Sequence, residues 1–145
     1  MIDVTNDCNN LSFDVELVYK AIRITLKAHN LDNCEVSVLL TDDSRIKELN
    51  REYRGIDSPT DVLAFAMHDD QDSKNLNPNV LGDVVISLET AERQAKAAHH
   101  SIDREVVVLT IHGILHLIGF DHKTNKEANV MFEKQDYLLK SICHD

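Results

Sequence analysis

The chain has 145 residues, 43% of them hydrophobic, and a formal net charge of −10. That length suits one ordinary domain with enough buried apolar surface to fold without cross-links. The charge argues against a general nucleic-acid coat, whose affinity comes from neutralising phosphates with lysine and arginine, so any RNA contact must be local and no DNA partner is expected.

The chain start "MIDV" offers a first strand, and its polar continuation shows no basic flank leading into an apolar core. From Phe13 to His29 apolar residues recur at a helical period, with Ser12 available as N-cap. The alternating, β-branched run "CEVSVLL" (34 to 40) predicts a strand. "DDSRIKELNREYR" (42 to 54) predicts a helix, acidic at its start and basic at its end, stopped by Gly55. "DVLAFAM" (61 to 67) predicts a second strand and "HDDQDSKNLNPN" (68 to 79) a mobile loop. "LGDVVIS" (81 to 87) is a third strand candidate, followed by an alanine-rich helix from 88 to 100. A further helix enters through "SIDRE" with Ser101 as N-cap, and a last packing helix runs from Lys126 to Ile142. No stretch approaches the length of a transmembrane helix, so no membrane partner is expected. Cys8, Cys34 and Cys143 are scattered, without CxxC spacing, which indicates neither a disulfide framework nor a thiolate metal site and fits a cytoplasmic protein. Strands and helices interleave without repeat or linker. The expected fold is α+β, a single domain over 1–145, with a small mixed β-sheet packed by helices and a buried central helix.

That central helix carries the chemistry. Between Val106 and Phe120 every residue is apolar except Thr110, His112, Gly113, His116 and Gly119, and a helix apolar nearly all round is a buried one. His112 and His116, at i and i+4, share one face about a turn apart. Gly119 can take the left-handed conformation that ends a helix and let the chain double back, bringing His122 to the same point. Chance occurrence of this spacing is on the order of one in a thousand. Three neutral imidazoles leave tetrahedral zinc one open position, the catalytic arrangement, and zinc-bound water with a pKa near ~7 is a hydroxide source. One zinc ion per chain is expected, with another divalent transition metal as the alternative. The spacing also matches the zinc-protease pattern HExxHxxGxxH, but Gly113 stands where those proteases carry their glutamate base and no Met-turn follows, so peptide hydrolysis by that mechanism lacks its proton acceptor.

Taken together, "LNREYRGIDSPTDVLAF", "LGDVVIS" and "HGILHLIGFDH", in this order, resemble the YbeY family of metal-dependent bacterial endoribonucleases, from about Val36 to the C-terminal helix. The family pattern more usually reads serine and proline at Ala64 and Ala66, a departure that touches the strand and none of the ligands. The resemblance implies a zinc-type site at His112, His116 and His122, an essential arginine at Arg54, and a role in maturing the 3′ end of small-subunit ribosomal RNA and in monitoring small-subunit assembly.

The local chemistry agrees, because a guanidinium can neutralise charge that builds on phosphate oxygens through paired hydrogen bonds. Arg54 has a second reading as a helix C-terminal cap. Asp121 could orient a histidine or cap the turn after Gly119. Asp61 and Asp83 read as turn or strand-end residues, and His29, His68, His99, His100 and His144 as exposed. Lys20, Arg23 and Lys27 share one helical face, and Arg45, Lys47, Arg51 and Arg54 crowd a short window; these are solvated helix faces or a local guide for RNA. The leading expectation is a single-strand-directed endoribonuclease acting on ribosomal RNA. Its rivals are a metallohydrolase of another substrate and a non-catalytic assembly factor whose metal is structural.

Overall fold

A computed structural model describes residues 1–8, 13–67 and 79–143. Two β-branched runs form the middle of the sheet, β2 (Glu35–Thr41) and β4 (Val80–Ser87), which pair in parallel. β1 (Ile2–Asn6) adds to β2 in parallel, and β3 (Val62–Ala66) adds to β4 antiparallel, giving the order β1-β2-β4-β3. This is the mixed sheet that the strand patterns predict, and β3 is an edge.

The helices are α1 (Val15–Ala28), α2 (Asp43–Arg54), α3 (Leu88–Ala98), α4 (Ile102–Ile118) and α5 (Asn125–Ile142). One sheet face, with Val36, Val38, Leu40, Val84 and Ile86, packs against apolar residues of α1, α3 and α4. The other face carries α2, where Ile46 meets Leu63 and Val85. On its far side α4 buries Val107, Ile111 and Leu115 against Ala21 of α1 and Met131, Leu138, Leu139 and Ile142 of α5. The histidine helix is thus covered by the sheet on one side and helices on the other, which is why its sequence is apolar nearly all round. Among the described residues no helix is long and apolar enough to cross a membrane.

Four expectations are corrected. Asp83 lies inside β4, opposite Ser37 and Phe65, rather than at a turn or strand end. Helix α1 starts two residues later than its period suggests and is capped by Asp14, whose side chain accepts from Glu16 N–H at 3.1 Å; Ser12 lies outside the described residues. His29 and His100 are partly buried rather than exposed. The His29 ring packs against Phe120 with centroids 5.6 Å apart and donates from Nδ1 to Thr25 O at 2.9 Å. His100 Nε2 lies 3.6 Å from Oε1 of Glu105, a residue whose carboxyl is pushed up by burial. His99 is exposed as expected, while His68, His144 and nearly all of the expected mobile loop fall outside the described residues.

Helix α2 is fastened at its N-terminus. Asp42 caps it, accepting from Arg45 N–H at 2.9 Å. Asp43 accepts from Ser87 Oγ and Thr90 Oγ1, each at 2.6 Å, and from Arg93 at 2.9 Å, while its own N–H donates to Glu89 Oε1 at 2.8 Å. Burial opposes the Asp43 charge, but these donors hold its carboxyl below the usual carboxylate range. The start of α2 is therefore locked to the β4–α3 corner, and its far end carries Arg54.

Candidate metal centre

Ser101 caps α4 as its sequence predicts, accepting from Arg104 N–H at 3.1 Å. At the other end Gly119 adopts φ +120° and ψ 2°, beyond the left-handed helical well but still in the region that favours glycine. Its N–H closes on the carbonyls of His116 and Leu115, and Phe120 N–H returns to Leu115 O at 3.0 Å. The chain folds back over the last helical turn and delivers His122. The ring centroids of His112 and His116 lie 4.8 Å apart, those of His116 and His122 5.4 Å, and those of His112 and His122 6.0 Å. One nitrogen from each ring falls within 4.8 Å of the others, a group able to hold a metal ion.

The protonation of the cluster suits a cation. His112 Nδ1 lies 2.9 Å from Gln135 Oε1 of α5. An amide oxygen only accepts, so Nδ1 carries the proton and the lone pair is left on Nε2. Burial pushes both His112 and His116 below the ordinary imidazole pKa, which keeps them neutral and able to coordinate. Asp121 Oδ1 accepts the backbone N–H of His122 at 2.7 Å, and this bond holds its carboxyl below the usual range. Its charge also acts on His116. A set of three imidazoles, one already orientated by Gln135, fits zinc or a similar divalent ion.

The cluster opens into a cleft of about 510 Å³ whose wall includes Arg54, Thr60, Asp61, Ala64, Ala66 and the three histidines. Arg54 is the last residue of α2, and its charge acts on His116. The cap itself is made by Gly55, whose N–H reaches Arg51 O and Asn50 O. Buried Asn50 ties down the loop that follows, donating from Nδ2 to Ser58 O at 2.9 Å. Lys20, Arg23 and Lys27 lie exposed on α1 and Arg51 lies exposed on α2, and none of the four lines the cleft.

Gly113 has a steric reason. A Cβ built there would stand 2.6 Å from Val84 Cγ1 and 3.0 Å from Val84 Cγ2. The helix rests on β4 at this point, so the glutamate of the protease pattern has no room.

The family profile described as Endoribonuclease YbeY matches residues 3–143. The chain belongs to the YbeY family. An "Endoribonuclease YbeY" from Persephonella marina is 44% identical over 140 residues, covering 96% of this chain and 90% of that protein. Another from Carboxydothermus hydrogenoformans is 43% identical over 145 residues, covering 98% and 97%. Among solved structures, the solution structure of TM1509 from Thermotoga maritima superposes with a TM-score of 0.67 at 29% identity, covering 98% of this chain and 89% of that one. For this YbeY family member, sequence reasoning missed Gln135, Asn50 and the place of Asp61 in the cleft wall. Gln135 had a signal: it is a polar residue on the face of α5 that otherwise buries Met131, Leu138 and Ile142.

Proposed function

We propose that the chain acts as one domain over 1–145, cutting single-stranded ribosomal RNA of the small subunit in the cytoplasm, with one zinc ion held by His112, His116 and His122 and with Arg54 as the catalytic arginine. Endoribonuclease activity itself, a hydrolase chemistry on RNA phosphodiesters, follows from family membership. The observation that carries the finer reading is that Arg54 and the three histidines line one cleft.

When bound, the ion would supply Lewis-acid stabilisation of phosphate charge and a source of hydroxide at neutral pH. The chain's own groups do the rest. Gln135 orientates His112, Gly119 and Asp121 set the backbone of His122, and α4 holds the first two rings on a rigid, buried element. Arg54 lines the same cleft, and its planar fork would pair with two phosphate oxygens as negative charge grows on them. The exposed bases of α1 and Arg51 would draw the RNA strand to the surface despite the acidic total.

Elemental analysis of purified protein, alongside cleavage of single-stranded RNA with and without chelator, tests the reading. Stoichiometric zinc and chelator-sensitive cleavage are expected. A protein that binds no divalent ion yet cuts RNA, or binds zinc and leaves RNA intact, refutes it.

A further inference from the structure

The direction of each main-chain group along the edge strand β3 follows from two hydrogen bonds at its ends. Ser87 N–H donates to Asp61 O at 2.9 Å, and Met67 N–H donates to Leu81 O at 2.9 Å. Both pairs continue the antiparallel register that matches Leu63 with Val85 and Phe65 with Asp83. Main-chain groups alternate sides along a strand. Those of Leu63, Phe65 and Met67 therefore face β4, while those of Val62, Ala64 and Ala66 face away from the sheet. These same three residues line the cleft with Arg54 and the histidines. Val62 N–H is taken, donating to Asp61 Oδ1 at 2.8 Å. What stays open among the described residues is a row of alternating donors and acceptors: the Val62 carbonyl, then the N–H and C=O of Ala64 and of Ala66. Side chains that end at Cβ leave that row uncovered.

A row of mixed sign is a poor seat for a phosphate, because each carbonyl repels it. It suits a neutral planar edge that carries a donor beside an acceptor, as the edges of unpaired bases do. Outward groups two residues apart are separated by about 7 Å, twice the stacked rise of roughly 3.4 Å per nucleotide. Consecutive bases that reach neighbouring positions must be unstacked, which is how single-stranded RNA is read. An extended peptide could use the same groups, but the endoribonuclease activity that family membership gives makes RNA the occupant.

Taking the cleft as the RNA-cutting site proposed above, the geometry points to the free edge of β3 as a ledge that holds the bases beside the cut phosphate through the main-chain groups of Ala64 and Ala66. The donor at Ala66 is one that a proline at this position, as in the more usual family pattern, cannot offer.

Amide hydrogen exchange on the ¹⁵N-labelled, zinc-loaded protein tests this, with a short 2′-O-methyl RNA of phosphorothioate linkages, which resists both its own 2′-oxygen and hydroxide. In the free protein the amides of Ala64 and Ala66 exchange freely while those of Leu63, Phe65 and Met67 are protected. The RNA slows the first two by about tenfold or more. Ala66→Pro, tolerated at an edge position that gives no ladder bond, keeps fold and zinc but weakens RNA binding by about two- to tenfold and loses a base preference next to the cut. Ala66→Gly, which keeps the N–H, retains both. If RNA is bound and cut while both amides exchange as before, or if Ala66→Pro binds and discriminates like the parent, the ledge is wrong and the nuclease reading stands. If the parent neither binds nor cuts RNA, both readings fall. Protection of the two amides by an extended peptide and not by RNA overturns the ledge in favour of a peptide ligand.

Discussion

At the scale of single residues, Arg54 separates a catalyst from a binder. If its guanidinium stabilises charge that develops only in the transition state, Arg54→Ala lowers RNA cleavage by about a hundredfold or more and leaves zinc content and the circular dichroism spectrum unchanged. Lysine rescues in part, because an ammonium lacks the two-point fork. A structural metal in a non-catalytic assembly factor would instead give no turnover to lose. His112→Ala, His116→Ala and His122→Ala each remove a third of the protein ligands and are expected to abolish stoichiometric metal. Gln135 acts one step back. Replacing it with leucine frees the proton choice on His112 and is expected to weaken zinc binding by about ten- to a hundredfold with the fold intact, while Gln135→Glu keeps an acceptor and retains most affinity. Competition with a chromophoric chelator measures both.

At the scale of elements, the contact of α4 with β4 is fixed by one missing side chain. Gly113→Ala pushes a methyl into Val84, and overpacking of this kind costs about 1–3 kcal/mol. Adding Val84→Ala makes room and recovers part of that loss in urea titrations. A double variant no more stable than the single one means that the overlap is absorbed elsewhere. Most of this architecture was readable. The period of α4, its Ser101 cap, the strands and the Gly119 turn rest on local patterns, and so does the histidine cluster, whose members span only eleven residues. What escaped is what depends on distant parts of the chain. Asp14 rather than Ser12 caps α1, and Asp14 N–H is in turn held by Asp103 at 3.0 Å, a residue 89 positions away. Asp61 looks like a strand head because it is one, and its place in the cleft comes from α4 packing across the face of β3. Gln135 meets His112 only because α5 packs back along α4.

At the scale of the whole molecule, pH acts through the buried rings. Folding holds His112 and His116 below their ordinary pKa, so unfolding takes up protons near and below about pH 6.5. In metal-free protein the contribution of the neutral rings is complete above that value and is lost as pH falls through their folded values. Urea stability should therefore decline from about pH 7.5 to about pH 5. Glu105, raised by burial, has the opposite sign. For that reason the decline is read against His112→Ala/His116→Ala, in which it should flatten. Long-range charge gives a separate test: neutralising Lys20, Arg23 and Lys27 together weakens RNA binding and lowers its salt slope, with a smaller effect on saturated turnover. The hydrogen bond between α4 and α5 also bears on when the protein becomes competent during its synthesis. All three histidines leave the ribosome before Gln135, which lies 23 residues beyond His112. A nascent chain holding its histidines but not α5 therefore has an unshielded α4 and a His112 ring without its Gln135 acceptor, so docking of the last described helix completes the orientation of the cluster.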